Sequence, residues 1–169
     1  DKPEPVGEYA QSCLGRERMF EYGSKRNNTR VALIRLNYSV EPRYGVLVDI
    51  AQKVKNNEPV DVTMGYFNVI WQGDANDAVL RSISHAASPA WIINITGEET
   101  LSVKEVAKAF GEEFGVEPKF VGEEAGTALL SNAEMAFNIF GKPRVPIRKV
   151  IHWIAGWMEE NKRILGKPT

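Results

Sequence analysis

The sequence of 169 residues contains a single cysteine and only two histidines. One thiol excludes a disulfide within the chain, and a cysteine-based metal cluster needs several thiolates. His85 and His152 are too isolated in the sequence to indicate a zinc site. We therefore expect no metal site, and we assign no functional role to either histidine.

An excess of one charge is also lacking, because 21 basic residues stand against 22 acidic ones. Proteins that bind nucleic acids or membrane surfaces commonly show a basic excess or patch, so this balance argues against both. The sequence has no run of about 18 apolar residues that would mark a membrane span, and no signal peptide is visible. We expect a cytoplasmic protein that binds neither nucleic acid nor membrane.

A third absence is a Gly-x-Gly-x-x-Gly motif at the start of a βαβ unit. That motif forms the turn that holds the phosphates of a dinucleotide. The sequence also begins DKPEP, without an initiator methionine. We therefore expect the chain to be the C-terminal part of a longer protein, and we expect no cofactor to bind to this fragment alone.

Apolar patterning predicts alternating helices and strands within a chain long enough for a real core. The predicted helices cover approximately residues 8–25, 46–56, 75–87, 103–114, 131–140 and 146–163. The strongest strand candidates are VALIRL (31–36) and WIINIT (91–96), with shorter ones at DVTMG (61–65) and EPKFVG (117–122). VALIRL is typical of a parallel strand covered on both faces. The alternation indicates an α/β fold.

The helical patterns also predict which side chains face inward and which residues cap the helices. The expected inward-facing residues are Tyr9, Cys13, Leu14, Met19 and Phe20 in the first helix, Val79, Leu80 and Ile83 in the third, Val103, Val106, Ala107, Phe110 and Phe114 in the fourth, and Val150, Ile151, Ile154 and Trp157 in the last. Asp74 or Asn76 is the expected N-cap of the third helix, and Thr100 or Ser102 that of the fourth.

The stretch GEYAQSCLGRE, residues 7–17, is the most informative part of the chain. In a helix, Tyr9 and Cys13 lie one above the other, because they are four residues apart. With Pro5, Ser12 and Glu17, this stretch resembles the motif Pro-x-x-x-Tyr-Gly-x-Ser-Lys-x-x-x-Glu of the extended short-chain dehydrogenases/reductases, the sugar-nucleotide epimerases and dehydratases. It departs from the motif in having Ala10 for the glycine and Cys13 for the lysine.

Four later segments resemble the same family in the same order. They are RVALIRLNYSVEP, FNVIWQGDANDAV, WIINITGEETLSVKEVAKAF and residues 131–157. The resemblance implies the C-terminal half of a Rossmann-type fold, including most of the small substrate-binding lobe. Residues 1–45 would supply the catalytic helix and a sheet strand, and residues 46–169 would form mostly the lobe, with one strand returning to the sheet.

The function implied by the resemblance is NAD(P)-dependent epimerase or dehydratase chemistry on a sugar nucleotide or a related carbonyl or hydroxyl metabolite. The full-length protein would bind NAD or NADP and a small-molecule substrate, and would form a homo-oligomer, whereas the fragment alone would be inactive. One alternative is a non-catalytic nucleotide- or metabolite-binding protein on the same scaffold. Another is a self-sufficient domain with a different activity. The identity of the substrate stays open.

By the same resemblance, Tyr9 exchanges a proton with a substrate hydroxyl. An unperturbed tyrosine has a pKa of about 10, so only about one in a thousand is ionised near neutral pH. A lysine ammonium one turn away favours the phenolate, whereas Cys13 supplies no positive charge. Arg16 lies farther along the same face. We therefore expect a weak or absent oxidoreductase step. The alternatives are that Tyr9 is a packing residue and that Cys13 is either inert or a nucleophile.

The remaining candidates follow predicted strands, where loops of α/β folds line ligand crevices. Asn37 and Tyr38 are candidate cofactor contacts, the alternative being a turn asparagine and a packed ring. Glu41 and Arg43 are candidate substrate contacts or a solvated ion pair of little energetic weight.

Five further substrate-binding candidates lie later in the sequence. Trp71 and Gln72 stand where the family's lobe meets its sheet, and Trp71 either stacks on a sugar or base or packs in the core. Arg81 is a candidate diphosphate contact, as are Arg144 and Arg148. The alternative for each arginine is an exposed helix charge, and Trp153 and Trp157 are expected in the core.

Overall fold

The computed structural model describes residues 3–166, in which helices alternate with short strands. The helices of this part of the chain are α1 (Gly7–Asn27), α2 (Val46–Lys55), α3 (Gln72–Ser82), α4 (Val103–Phe114), α5 (Glu134–Phe140) and α6 (Ile147–Glu159), with a 3-10 helix at Ile83–His85. Its strands are β1 (Ala32–Leu36), β2 (Ser39–Val40), β3 (Val60–Asp61), β4 (Tyr66–Phe67), β5 (Ile70–Trp71), β6 (Trp91–Ile95), β7 (Leu101–Ser102), β8 (Phe120–Val121) and β9 (Ala128–Leu129).

The strands form four small sheets, in which parallel pairing is common. β1 pairs with β6, β2 pairs in parallel with β5, and β3 pairs in parallel with β8. β4 lies between an antiparallel β7 and a parallel β9. The predicted α/β fold is therefore confirmed. Among residues 3–166, no helix has the length and apolar character needed to cross a bilayer.

The chain divides into two compact units. The first contains the chain up to Arg35 together with Val79–Ile93, and the second contains Leu36–Ala78 and the chain from Asn94 onward. The division at residue 45 that the family resemblance implies concerns the domains of a longer protein, and it stays a prediction.

The second unit has a well-defined apolar core beneath α2, α4 and α6. Leu47, Phe110 and Ile154, one from each helix, are 0% exposed and belong to one cluster. α4 contributes Val103, Val106, Ala107 and Phe110, whose spacing makes one helical face apolar, as predicted. Ser102 caps this helix, since its hydroxyl oxygen accepts a hydrogen bond from the Glu105 amide at 3.3 Å. Gly115 ends it in a left-handed conformation.

In the first unit, the C-terminal end of α1 is held mainly by polar contacts. Ser24 is 1% exposed, and its hydroxyl donates to the Thr29 carbonyl at 2.8 Å. The Ser88 hydroxyl donates to the Ser24 carbonyl at 2.9 Å, and the Arg30 guanidinium donates to the Ala86 carbonyl at 2.7 Å. These hydrogen bonds join the end of α1 to the segment before β6.

The predicted apolar stripe of α1 is wrong, although the helix itself is confirmed. Tyr9, Met19 and Phe20 are exposed by 83%, 70% and 54%, and Ser24 is the buried residue of the helix. Cys13 and Leu14 are half-buried. The prediction of inward-facing residues was wrong because a helix can place apolar side chains on a face that its own unit does not cover. β1 is likewise half-buried rather than covered on both faces.

Two predictions for α3 are also wrong. The helix begins at Gln72, directly after β5, so Asp74 and Asn76 lie inside it and neither is its N-cap. Val79, Leu80 and Ile83 are exposed, whereas the small residues Ala75, Ala78 and Ser82 are buried. Small side chains at helical spacing let a helix approach its neighbours closely, and apolar patterning gives them little weight.

α6 and the shortest strands differ in detail from the patterns. Trp157 is half-buried and Met158 takes the buried position instead, while Val150, Ile151 and Ile154 are buried as predicted. Phe114 is half-buried and stacks on Phe110. The predicted strand DVTMG is replaced by β3 and β4 on either side of a bend.

Candidate functional site

Tyr9 projects from the first turn of α1 into solvent, with 83% of its surface exposed. The Ser12 hydroxyl, by contrast, is already engaged, because it donates a hydrogen bond to the Tyr9 carbonyl at 2.7 Å. The Arg16 guanidinium contacts Cys13 Sγ at 3.7 Å. A cation therefore does stand beside the position at which the family motif has lysine, but it is held by a sulfur atom one turn along the helix.

Glu17 and Arg35 form a bidentate ion pair in the first unit. Arg35 Nε donates to Glu17 Oε2 at 2.8 Å, and Arg35 Nη2 donates to Glu17 Oε1 at 2.5 Å. The two hydrogen bonds from Arg35 hold the pKa of the Glu17 carboxyl below its usual value, and the same pairing raises the pKa of Arg35. A bidentate pair of this kind fixes orientation as well as charge. Glu17 thus joins α1 to β1.

Asn37 lies directly after β1, and its amide is occupied by a buried asparagine. Asn37 Nδ2 donates to Asn68 Oδ1 at 2.6 Å and to the Asn68 carbonyl at 3.2 Å. Asn68, which is 6% exposed, donates in turn to the Ser131 carbonyl at 2.9 Å and accepts from the Ser131 amide at 3.2 Å. These contacts of the Asn37 amide position the loop after β1, and the role of Asn37 as a cofactor contact stays a prediction.

Tyr38 adopts a positive φ of 40°, which is uncommon for a residue with a side chain. Its ring packs edge-to-face on Phe67, with centroids 6.3 Å apart. Burial raises the pKa of the Tyr38 phenol, so the group stays neutral near physiological pH. Backbone strain of this kind persists where the surrounding structure enforces it, and it is frequent at functional sites.

A cavity of about 390 Å³ and two others of about 190 Å³ and 460 Å³ lie in the second unit. Tyr38 lines the one of about 190 Å³, which we call the Tyr38 cavity. Its apolar wall is formed by Val46, Ile50, Val60, Phe67, Val103 and Leu129. Met64, Asp49, Lys53 and Asp61 complete the lining. The Tyr38 cavity is thus mainly apolar, with three charged residues.

Glu41 and Arg43 occupy the turn that follows β2. Glu41 is 9% exposed, and its carboxylate accepts from the backbone amide of Arg43 at 3.1 Å and from Arg43 Nε at 3.0 Å. This pairing raises the pKa of the Arg43 guanidinium. The predicted ion pair is present, but only Arg43 is solvated. The substrate-binding roles of Glu41 and Arg43 stay predictions.

Trp71 packs edge-to-face on Trp153, with ring centroids 5.1 Å apart. It lines the cavity of about 390 Å³, with Glu98, Glu99 and Arg144, and also the open one of about 460 Å³, with Trp153 and Trp157. The half-buried Trp157 donates from its indole nitrogen to the Arg163 carbonyl at 3.1 Å. Trp71 is therefore a packed ring with an accessible edge. Gln72 is exposed at the first position of α3.

The candidate diphosphate contacts Arg81, Arg144 and Arg148 are exposed, which agrees with the alternative that each is a surface charge. Arg144 lies near Asp74, at 3.8 Å, and near Asp77, at 3.6 Å. Asp74 also accepts from the Val145 amide at 3.0 Å, which explains its position better than helix capping. His152 does have a partner, because its Nδ1 lies 3.0 Å from a Glu113 carboxylate oxygen. His85 stacks on Trp91, with centroids 4.9 Å apart.

Sequence reasoning missed Asn68 and the charged residues of the Tyr38 cavity. Asn68 stands between Phe67 and Val69, and a polar residue inside an apolar run is a usable signal of a buried hydrogen-bond network. Asp49 and Lys53 lie four apart on α2, and their spacing alone resembles that of any solvated helix pair. That pattern does not reveal a cavity.

The residues of this chain fit a nicotinamide cofactor only in part. The exposed hydroxyl of Tyr9 is accessible to a ligand, whereas the Asn37 amide is already bound to Asn68. Within residues 3–166, no three His, Cys, Asp or Glu side chains come together in a way that could hold a metal ion.

Comparison with solved structures shows the fold of the C-terminal part of extended short-chain dehydrogenase/reductase enzymes. UDP-glucuronic acid 4-epimerase from Bacillus cereus, in complex with NAD, superimposes with a TM-score of 0.79 at 13% identity, over 96% of this chain and 55% of that one. RMD from Pseudomonas aeruginosa, complexed with NADPH, gives 0.80 at 19% identity, over 95% and 59%. The dTDP-glucose 4,6-dehydratase from Bacillus anthracis gives 0.77 at 16%, over 95% and 54%.

The chain thus spans little more than half the length of the solved proteins that it matches. The implied fold class, the C-terminal half of a Rossmann-type fold, is confirmed. No family model matches the sequence. No curated protein matches it either. At these identities the likeness concerns the fold, and function is argued from the residues.

Proposed function

We propose that this chain is the C-terminal portion of an NAD(P)-dependent epimerase- or dehydratase-like protein that acts on a carbonyl or hydroxyl metabolite, a sugar nucleotide or a related compound. The observation that carries the proposal is the fold match over 94–96% of the chain, with Tyr9 exposed on α1. The bound nicotinamide would donate or accept a hydride. This chain's residues would bind the substrate and exchange its hydroxyl proton.

In this proposal, Tyr9 is the residue that holds and moves the proton. Its hydroxyl is accessible, and the Glu17–Arg35 pair fixes α1 on β1, so the position of the ring is set by the helix rather than by a loop. Catalytic groups on rigid elements keep their geometry better than groups on loops. Tyr38 does not act as the base in this scheme, because burial raises the pKa of its phenol and disfavours the phenolate.

The full-length protein, with the sequence upstream of this chain, tests the proposal. Loaded with NAD(P) and given pooled sugar nucleotides and simple cyclic ketones or alcohols, it should show a change in nicotinamide absorbance or, where the hydride returns to the same molecule as in epimerisation and dehydration, a change of the substrate into a new product seen by proton NMR. Tyr9→Phe should abolish that change. Tyr22→Phe, on the same helix and also exposed, is the matched control and should keep it. Loss in both variants, or in neither, would contradict the assignment of Tyr9.

A non-catalytic binding protein on the same scaffold is the second candidate, and Cys13 is the observation that favours it. The thiol provides no charge to stabilise a phenolate. In that case the full-length protein would bind NAD(P) and a metabolite, measured by calorimetry, while the nicotinamide spectrum stays unchanged and no new product forms with any substrate tried. Partners in either case would be small molecules and further copies of the protein.

A further inference from the structure

The Tyr38 cavity has the size of a single small ring. Its volume is about 190 Å³, and an apolar cavity of about 150 Å³ is known to hold benzene. A ring of about six to ten non-hydrogen atoms therefore matches this volume. A nucleoside diphosphate has several times as many atoms and would have to extend well outside it.

The charges of the lining also disfavour a diphosphate. Asp49 and Asp61 stand against a single cation, Lys53, and no arginine lines the Tyr38 cavity in the part of the chain that the structure describes. Asp61 accepts hydrogen bonds from the Thr63 amide at 2.9 Å and from the Thr63 hydroxyl at 2.8 Å, and both lower the pKa of its carboxyl. The aspartate therefore stays ionised, and a phosphate group would face net negative charge. Phosphate sites normally supply the opposite arrangement.

The walls supply what an uncharged ring needs. Phe67 and Val60 line the cavity with apolar side chains that are each 2% exposed, while Leu129 and Met64, at 44% and 40% exposed, line it where it meets solvent. The strained Tyr38 holds its ring against Phe67, which keeps this end of the cavity aromatic. Apolar pockets with a few polar groups are the usual sites of small ligands.

We propose that the Tyr38 cavity binds an uncharged, mainly apolar ring of a cyclic carbonyl or hydroxyl compound, rather than the diphosphate of a nucleotide. The assignment of this ring to a substrate rests on the proposed function, and its binding does not. The site thereby narrows the substrate class of the protein to compounds that present such a ring to the second unit.

Methyl NMR of the full-length protein tests the proposal, with cyclohexanone and uridine 5′-diphosphate as the probes. The four methionines of this chain provide an internal comparison. Met64 lies at the cavity rim, whereas Met19 and Met135 are exposed and do not line it. Cyclohexanone should shift the Met64 methyl signal, assigned with Met64→Leu, along a saturable curve, and the other two signals should stay in place. The diphosphate should leave Met64 unshifted at the same concentration.

Two neighbouring leucines give matched variants. Leu129 lines the cavity, and Leu130, which is 50% exposed, does not. Leu129→Asn should weaken cyclohexanone binding at least about five-fold, and Leu130→Asn should change it less than about two-fold. Equal weakening, no saturable shift, or a diphosphate that displaces cyclohexanone from Met64 would overturn the proposal.

These readouts need no cofactor and no turnover. A saturable Met64 shift in a protein without oxidoreductase activity would keep the ring site and contradict only the proposed reaction. Turnover without any shift at Met64 would support the proposed reaction and contradict the ring site.

Discussion

The guanidinium of Arg35 on β1 donates two hydrogen bonds to the carboxylate of Glu17 on α1. Their side chains are only 28% and 13% exposed, so the pair is better shielded than most surface ion pairs. Glu17→Gln should lower the free energy of unfolding by about 1–2 kcal/mol at neutral pH, because Arg35 loses a charged bidentate acceptor. Urea denaturation measures this loss. Glu21→Gln, which breaks the more exposed Arg18–Glu21 pair at 2.6 Å, should cost less than about 0.5 kcal/mol.

The same pair makes a prediction about pH. The hydrogen bonds from Arg35 lower the pKa of Glu17 from its ordinary value of 4.5, so the folded state favours the ionised carboxylate. Its contribution to stability is fully present above that ordinary value and is lost as the pH falls through the lowered pKa of the folded protein. The difference in unfolding free energy between wild type and Glu17→Gln should therefore be constant from neutral pH down to about pH 5 and shrink below it. A difference that stays constant down to about pH 3 would contradict this account.

Asn68 should be among the most sensitive polar residues of the second unit. Asn68→Ala removes the acceptor of the Asn37 side chain and of the Ser131 amide, and the donor to the Ser131 carbonyl. Buried polar groups left without partners cost about 1–3 kcal/mol each, so we expect a loss of about 2–4 kcal/mol in unfolding free energy. Asn138→Ala, at an exposed position of α5, should stay within about 0.5 kcal/mol of wild type. Similar losses in both variants would mean that the network does not contribute.

Two glycines should respond to alanine in opposite directions. A Cβ at Gly97 would lie 2.0 Å from the Val69 carbonyl oxygen, which is rigid backbone, so Gly97→Ala should destabilise the second unit by about 2 kcal/mol or more. A Cβ at Gly156, inside α6, meets nothing within 4 Å, and Gly156→Ala should stabilise by about 0.5–1 kcal/mol. Thermal unfolding of the two variants provides the measurement. Tolerance of Gly97→Ala would show that β5 and the turn after β6 can separate.

The fold could be predicted from sequence wherever apolar residues recur at regular spacing. α2 and α4 were predicted within one residue of their bounds because Leu47, Val54, Val106 and Phe110 mark their buried faces. Two-residue strands such as β4 and β7 are too short to show a period, and tertiary pairing rather than propensity creates them. The buried face of α3 was predicted wrongly for a related reason, because it consists of small residues.

The candidate site could be predicted from the sequence only in part. The motif around Tyr9 placed a tyrosine and a cysteine one turn apart on a helix, and the structure has both on α1. Tyr38, in the loop after β1, lines a cavity, and the ligand contacts expected of this loop stay a prediction. The hydrogen-bond partners of these side chains could not be predicted, since Asn37 and Asn68 are far apart in sequence and only the folded chain brings their amides together.

Cys13→Lys in the full-length protein is the variant that tests the chemistry of α1 most directly. A lysine at this position, one turn from Tyr9, would add the ammonium that favours the phenolate of a neighbouring tyrosine. NAD(P)-dependent turnover should rise at least about ten-fold, and the acid limb of the pH–rate profile should move to lower pH. Cys13→Met, which adds length without charge, is the control and should leave both unchanged. A lysine at this position also removes the Sγ contact of Arg16, so Arg16→Met should be combined with it to show that the gain comes from the new ammonium. If the wild type already turns over as fast as Cys13→Lys, the missing ammonium does not limit the reaction, and the weakness inferred from Cys13 is wrong.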